Sequence, residues 1–263
     1  MLLRPEVTPG EVDDACASAV ESGLAAVTVW PGDVARAAAA SDGSRVTVVA
    51  AVGGPNGTAR AGATLDEARR AIRAGAGHLA VALDPRRMRG EGVAERTQEL
   101  AALCHMAHAE GVHVRAVLQA HPASTPAPPD GLAGAGVAAA EAAGAGGLAG
   151  VAAPTSAGGL AGAGVFGPKG AAAPGGVELA EAGRLAVEAG ADLLQTGFGV
   201  RAPATAEQVR AVRQGLSSRH AAIGVIAGGA KDAGAARYLL ERAGADRVAV
   251  LDPPAVLRGV AAA

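Results

Sequence analysis

The chain has 263 residues, of which 50% are hydrophobic, 18% charged and 2% aromatic, and its formal net charge is -2. A net charge this close to zero argues against nucleic acid as the main partner, because phosphate neutralisation requires a basic surface. No apolar run approaches the roughly 20 residues that span a bilayer, and no signal-peptide pattern opens the chain. We therefore expect a cytoplasmic protein, without a membrane partner, in which Cys16 and Cys104 are reduced.

In the first part of the chain, residues 1–121, short β-branched runs alternate with helical stretches rich in Ala, Arg and Glu. A strand-then-helix repeat predicts parallel strands joined by right-handed crossovers. Thr64 and Glu67 have capping-box spacing, so Thr64 is predicted to cap the third helix. In order, the predicted elements are helix 11–22, strand 24–30, helix 33–40, strand 45–52, helix 64–74, strand 78–83, helix 93–110 and strand 113–118.

The regular pattern stops at residues 122–175. Four prolines between residues 122 and 129 prevent regular structure, because each lacks a donor and restrains its neighbour. The Gly/Ala tract that follows has too few large side chains to offset the entropy cost of ordering it. We predict a flexible Gly/Ala/Pro-rich insertion, and an Ala-rich helix over residues 137–143 is the alternative.

The alternation resumes in the third part, residues 176–263. Helices are predicted at 177–189, 206–216 and 233–243, and strands at 192–196, 222–226 and 247–251. Gly75, Gly190 and Gly244 each stop a helix just before a strand, which is typical of (β/α)8 barrels because Gly supplies the left-handed residue. Seven strands are predicted, and an eighth would lie at or before residues 1–3. The sequence therefore predicts a (β/α)8 TIM barrel with a truncated first strand.

One strand-to-helix turn, at Gly228 and Gly229, has the composition of a phosphate site. Backbone amides at such a turn, together with a helix N-terminus, bind phosphate, and the last strands of these barrels commonly carry such a site. His105 and His108 lie three residues apart on a helix, and we expect them on a solvated face. We expect no metal and no cofactor.

Six segments, in order along the chain, resemble the deoxyribose-phosphate aldolase family. They read LLRPEVT at 2–8, VTVWP at 27–31, VGGPNG at 52–57, GAGHLAV at 75–81, AGADLLQT at 189–196 and IGVIAGG at 223–229. The resemblance implies a (β/α)8 barrel. It also implies the cleavage of 2-deoxyribose 5-phosphate to glyceraldehyde 3-phosphate and acetaldehyde.

The resemblance also implies where the family's catalytic groups would lie. That family forms a Schiff base on one lysine, lowers its pKa with a second lysine, and relays protons through an aspartate. Those positions correspond to Gln195, Ile226 and Ala80, none of which can supply the chemistry. We therefore predict an aldolase-like barrel without Schiff-base activity. Its expected ligand is a phosphorylated sugar or a related metabolite, with a protein partner as the alternative, and a homo-oligomer remains open.

Two enzymatic alternatives remain at the sequence level. Strand parity places Asp84 at the barrel mouth, where His121 and Asp252 would join it in an acid/base or metal site with lysine-independent chemistry. The other alternative is a working aldolase that uses Lys231, five residues beyond the expected second lysine. Asp252 would also repel a phosphate bound at Gly228 and Gly229.

Overall fold

The computed structural model describes residues 3, 7–54, 57, 59–119, 176–198, 202–250, 253 and 256. The predicted insertion at 122–175 lies outside the described residues, and so do His121 and Asp252. None of the helices in the described ranges is long and apolar enough to cross a bilayer.

Seven strands alternate with seven α-helices in the described part of the chain. The strands pair in parallel, in chain order from β1 to β7, as a TIM-barrel-like curled sheet, which confirms the predicted fold class. Three short 3-10 helices occur at Pro31–Asp33, Pro85–Met88 and Ser218–His220. The main elements are α1 Pro9–Glu21, β1 Ala26–Val29, α2 Val34–Ala40, β2 Thr47–Val52, α3 Ala61–Arg73, β3 His78–Leu83, α4 Val93–Ala109, β4 His113–Leu118, α5 Gly176–Glu188, β5 Leu193–Thr196, α6 Ala206–Gly215, β6 Gly224–Ala230, α7 Ala233–Glu241 and β7 Arg247–Val250.

Strand alternation divides the buried side chains into two groups. Those on the outer face of the sheet pack against the helices in one large core, which includes Leu79, Leu118 and Leu194. Those on the inner face form a second, smaller cluster, because successive side chains of a strand point to opposite faces. That inner cluster consists of Leu3, Val49, Ala51, Ala80, Ala82, Val117 and Phe198.

Two local boundaries differ from the sequence predictions. Helix α3 begins at Ala61, so Thr64 lies inside its first turns, where its hydroxyl donates to the Arg60 carbonyl. The predicted capping box is therefore wrong, and Glu67 instead accepts a hydrogen bond from the Gly53 amide at 2.8 Å. Strand β6 is also longer than predicted, since its pairing with β7 continues through a register shift to Ala230.

Two aspartates repeat the same contact at the start of β5 and of β7. Asp192 accepts from the Val114 amide of β4 at 2.7 Å, and Asp246 accepts from the Val225 amide of β6 at 2.7 Å. Each carboxylate also contacts a cation or imidazole of a preceding helix, His108 of α4 for Asp192 and Arg213 of α6 for Asp246. Both aspartates follow a Gly-Ala pair, so the pattern Gly-Ala-Asp joins a helix and two strands at one end of the sheet.

The close approach of α5 and α6 requires Gly215. A Cβ at this position would collide with the backbone of Ala180. We expect Gly215→Ala to lower the free energy of unfolding by about 1–3 kcal/mol through overpacking. Gly62→Ala is the matched control in α3, because nothing lies within 4 Å of its added Cβ, and it should be neutral or stabilise by up to about 1 kcal/mol. Urea unfolding of both variants measures the difference, and equal changes would contradict this packing.

Candidate functional site

The three positions at which the family resemblance places catalytic groups share the inner face of the sheet. Gln195 lies in β5 directly beside Ile226 of β6, and their side chains are 1% and 3% exposed. Ala80 of β3 is fully buried in the inner cluster. The structure therefore shows Ala80 on the inner face, as strand parity predicted, and all three residues lie on that face.

The carboxamide of Gln195 is held by two hydrogen bonds. Its Oε1 accepts from Nη1 of Arg115 at 3.1 Å, and its Nε2 donates to the Gly197 carbonyl at 2.8 Å. A carboxamide is not a nucleophile toward a carbonyl, and this one is fixed at both ends. The deoxyribose-phosphate aldolase family, which this chain resembles, has a lysine amine at this position. The structure shows a carboxamide there, held by hydrogen bonds at both of its polar atoms.

Arg115 is a site residue that the sequence reasoning missed. It lies on the inner face of β4 beside Ala80, between the outward-facing Val114 and Ala116, and is 5% exposed. Burial lowers the pKa of its guanidinium to about 10, and the positive charge of Arg247 adds to the effect. The signal was available, because a charged residue in the middle of a strand buried on both faces is unusual.

Lys231, the residue of the aldolase alternative, lies outside this space. It follows the last residue of β6 and is exposed, and Asp232 after it caps α7 by accepting from the Ala235 amide at 2.7 Å. Within the described ranges no lysine lies on the inner face; Lys169, the other lysine of the chain, is not in those ranges.

Asp84 is buried just after the end of β3, and its carboxylate is engaged. It accepts from the Arg86 amide at 3.0 Å and forms an ion pair with the Arg86 guanidinium at 3.2 Å. It also borders a cavity of about 70 Å³ between α3 and α4, a volume suited to a few waters. No group of three His, Cys, Asp or Glu among the described residues is arranged to hold a metal.

Gly228 and Gly229 lie within β6, near its end. Gly228 carries no Cβ because one would collide with the Gly197 carbonyl, and its own carbonyl accepts from the Ala204 amide at 2.7 Å. Gly229 has φ of 80° and is skipped by the β6–β7 register. Both residues are therefore required by the backbone itself, whatever binds beside them.

A second polar cluster surrounds the other end of β3 and β4. The His78 and His113 rings meet edge to face with centroids 5.2 Å apart, and Asp192 lies 2.9 Å from His108. Burial opposes ionisation of Asp192, but hydrogen bonds from the Val114 amide and His108 outweigh it and lower the pKa of this carboxyl. His105 and His108 are both exposed, as predicted, and His108 also pairs with Asp192.

His78 should make the protein acid-sensitive. Its Nδ1 is buried without a partner among the described residues. Burial, aided by the charge of Arg115, lowers the pKa of His78 from 6.5 to about 4. Between those two pH values the unfolded chain binds more protons than the folded one, so stability present at neutral pH is lost as pH falls.

We expect His78→Gln to reduce the fall in the free energy of unfolding across this pH range, measured by denaturation at several pH values. The matched control is His105→Gln, since His105 is exposed on α4. An unchanged pH dependence in the His78 variant would show that its imidazole is not the sensitive group. Asp192 acts in a separate range, because its lowered pKa removes stability only below about 3.8.

Comparisons with known proteins relate the sequence and the fold of this chain to aldolases. No family model matches the chain. A deoxyribose-phosphate aldolase from Crocosphaera subtropica is 26% identical over 117 residues, which are 44% of this chain and 52% of that protein. The chain thus spans about half the length of the curated relative that it matches.

Two solved structures extend the likeness over nearly the whole chain. An aldolase designated QR15 superposes with a TM-score of 0.69 at 21% identity, covering 98% of this chain and 91% of the other. The tetrameric deoxyribose phosphate aldolase from Aeropyrum pernix superposes with a TM-score of 0.68 at 18% identity, covering 99% and 87%. The fold is therefore the TIM-barrel fold of these aldolases. The chain is similar to deoxyribose-phosphate aldolases in sequence over less than half of its length, and in fold over nearly all of it.

Proposed function

We propose that this barrel binds a phosphorylated sugar or a related metabolite and does not carry out Schiff-base aldolase chemistry. The observation that carries the proposal is Gln195, whose carboxamide lies on the inner face between Arg115 and the Gly197 carbonyl. Imine formation needs an unprotonated amine, and neither this amide nor the side chain of Ile226 or Ala80 provides one.

Lys231 does not replace the missing amine in this proposal. Its side chain is exposed beyond the end of β6, whereas Gln195 is 1% exposed inside the sheet. A Schiff-base lysine is activated by a desolvated environment, and an exposed side chain does not have one.

Borohydride trapping with acetaldehyde tests the absence of imine chemistry. We expect no reduced adduct on the inner face of the unmodified protein and only background cleavage of 2-deoxyribose 5-phosphate. Gln195→Lys is the positive control, because the neighbouring Arg115 cation should lower the pKa of the introduced amine and allow an adduct to form. Cleavage should still stay at background in this variant, since Ala80 cannot relay a proton.

Intact-mass spectrometry and peptide mapping give the readout. A reduced adduct mapped to Lys231 in the unmodified protein, together with cleavage above background, would replace our proposal with a working aldolase.

The phosphate group of the ligand is proposed to bind at Gly228 and Gly229. The register shift there takes Gly229 out of the β6–β7 pairing, and α7 begins at Ala233, so backbone amides and a helix N-terminus lie close together. The Asp232 carboxylate already caps that helix. Because this negative charge opposes an anion, we expect weak, millimolar binding.

Titration with inorganic phosphate, followed by isothermal calorimetry, tests this site. Gly229→Val should abolish binding, because a branched side chain fills the space beside the amides. Gly244→Val is the matched control: Gly244 also has positive φ, 85° against 80° for Gly229, but lies at the end of α7. Binding retained in the control and lost in the Gly229 variant is the expected result. No binding to the unmodified protein at millimolar phosphate would refute the site.

For location and assembly, we propose a cytoplasmic homo-oligomer. Cys16 and Cys104 are buried thiols without a disulfide, and burial raises the pKa of Cys104 to about 12, which keeps it unreactive. The Aeropyrum pernix relative is described as tetrameric, and Val177 and Tyr238 expose more than half of their surface here.

A further inference from the structure

Arg115 is a buried cation to which the described residues provide no counter-ion. It is 5% exposed, and its one hydrogen-bond partner in the described ranges is the neutral carboxamide of Gln195. The positive charge of Arg247 lowers the pKa of Arg115 further, because the two charges have the same sign. Burying a charge without an opposite charge costs several kcal/mol, and a guanidinium stays protonated at neutral pH. The arrangement therefore favours an anion beside Arg115.

The hydrogen bonding of Arg115 shows which of its edges is available. Nη1 donates to Gln195, at 3.1 Å from Oε1. Nε is buried and has no partner among the described residues. The Nε and Nη2 protons point the same way in the plane of the guanidinium, so this edge offers two parallel donors. Two parallel donors match the two oxygens of a carboxylate.

The neighbouring inner-face positions are small and apolar. Ala80 is paired with Arg115 in the β3–β4 register, and Ala51 of β2 is paired with Ala80. Ala82 and Val117 continue the same lining toward the end of the strands at which Gln195 lies. A ligand whose anionic group meets Arg115 would therefore have its carbon atoms against apolar side chains, which suits a short-chain organic acid.

We propose that a short-chain carboxylate binds on the inner face of the sheet, with its two oxygens on the Nε and Nη2 edge of Arg115. Gln195 is the positioning residue, because its Oε1 fixes Nη1 and so directs the other edge toward the space beside Ala80. The site involves different residues from the phosphate site at Gly228 and Gly229, and neither site requires the other.

Propionate and propanamide are the probes for this proposal, because they share a carbon chain but only propionate is charged. We expect propionate to bind saturably to the full chain in isothermal calorimetry, and propanamide to bind at least about tenfold more weakly. Arg115→Met should weaken propionate binding by about tenfold or more. Arg45→Met removes the same charge from an exposed position and should leave it unchanged.

Arg115→Lys keeps the charge but not the two parallel donors, and it should bind propionate with intermediate affinity. This variant also keeps the experiment decisive if Arg115→Met does not fold. Any of three results would overturn the proposal. They are equal binding of the two probes, unchanged affinity in both Arg115 variants, and no binding of propionate at about 0.1 M.

Inorganic phosphate separates this site from the one in the proposed function. Arg115→Met should lose propionate and keep phosphate, and Gly229→Val should do the reverse. If phosphate competes with propionate and both are lost in Arg115→Met, then Arg115 is a phosphate ligand and the carboxylate assignment is wrong.

Discussion

In a curled parallel sheet, every second side chain of each strand points to the inner face. The size and charge of those side chains determine what the inner face of this protein can hold. Most of them here are small and apolar, as in the cluster of Ala51, Ala80 and Ala82. Arg115 and Gln195 are polar instead, and the residues beside Arg115 leave space for its guanidinium. A guanidinium needs more room than an aliphatic side chain, and alanines on the adjacent strands provide that room.

The hydrogen bond between Arg115 and Gln195 links two features of the inner face that would otherwise look unrelated. A lysine at position 195 would place a second cation beside the Arg115 guanidinium, at a cost in a space of low dielectric. A carboxamide has no charge and accepts the hydrogen bond that the guanidinium offers. An uncharged side chain at position 195 is thus compatible with a cation at position 115. With Arg115 present, a charged lysine at position 195 is unfavourable.

Much of this architecture could be predicted from the sequence, because it depends on repeated local signals. β-branched runs, helical stretches and the Gly-Ala pairs before β3, β5 and β7 located all seven strands and their parallel order. Strand parity also placed Ala80 on the inner face of the sheet. The predicted capping box of α3 was wrong. Glu67 accepts a hydrogen bond from the Gly53 amide of another element, and no local sequence pattern reveals such a contact.

The candidate site was harder to predict than the fold. Motif matching directs attention to positions at which a family carries catalytic groups, and at those positions this chain has nothing reactive. The informative residue, Arg115, belongs to none of the matched segments, and its partner Gln195 is 80 residues away in the sequence. Pairing of that kind depends on the register between β4 and β5, which parity alone does not give.

The two Gly-Ala-Asp contacts lie at a different end of the sheet from the candidate site. Asp192 and Asp246 tie helices to strands through backbone amides at the amino-terminal edge of the sheet, away from Gln195 and Gly228. Inner-face side chains nearer the opposite edge, such as Ala80 and Gln195, take no part in these contacts. Side chains there can therefore differ in chemistry without removing the contacts that tie these helices to the strands.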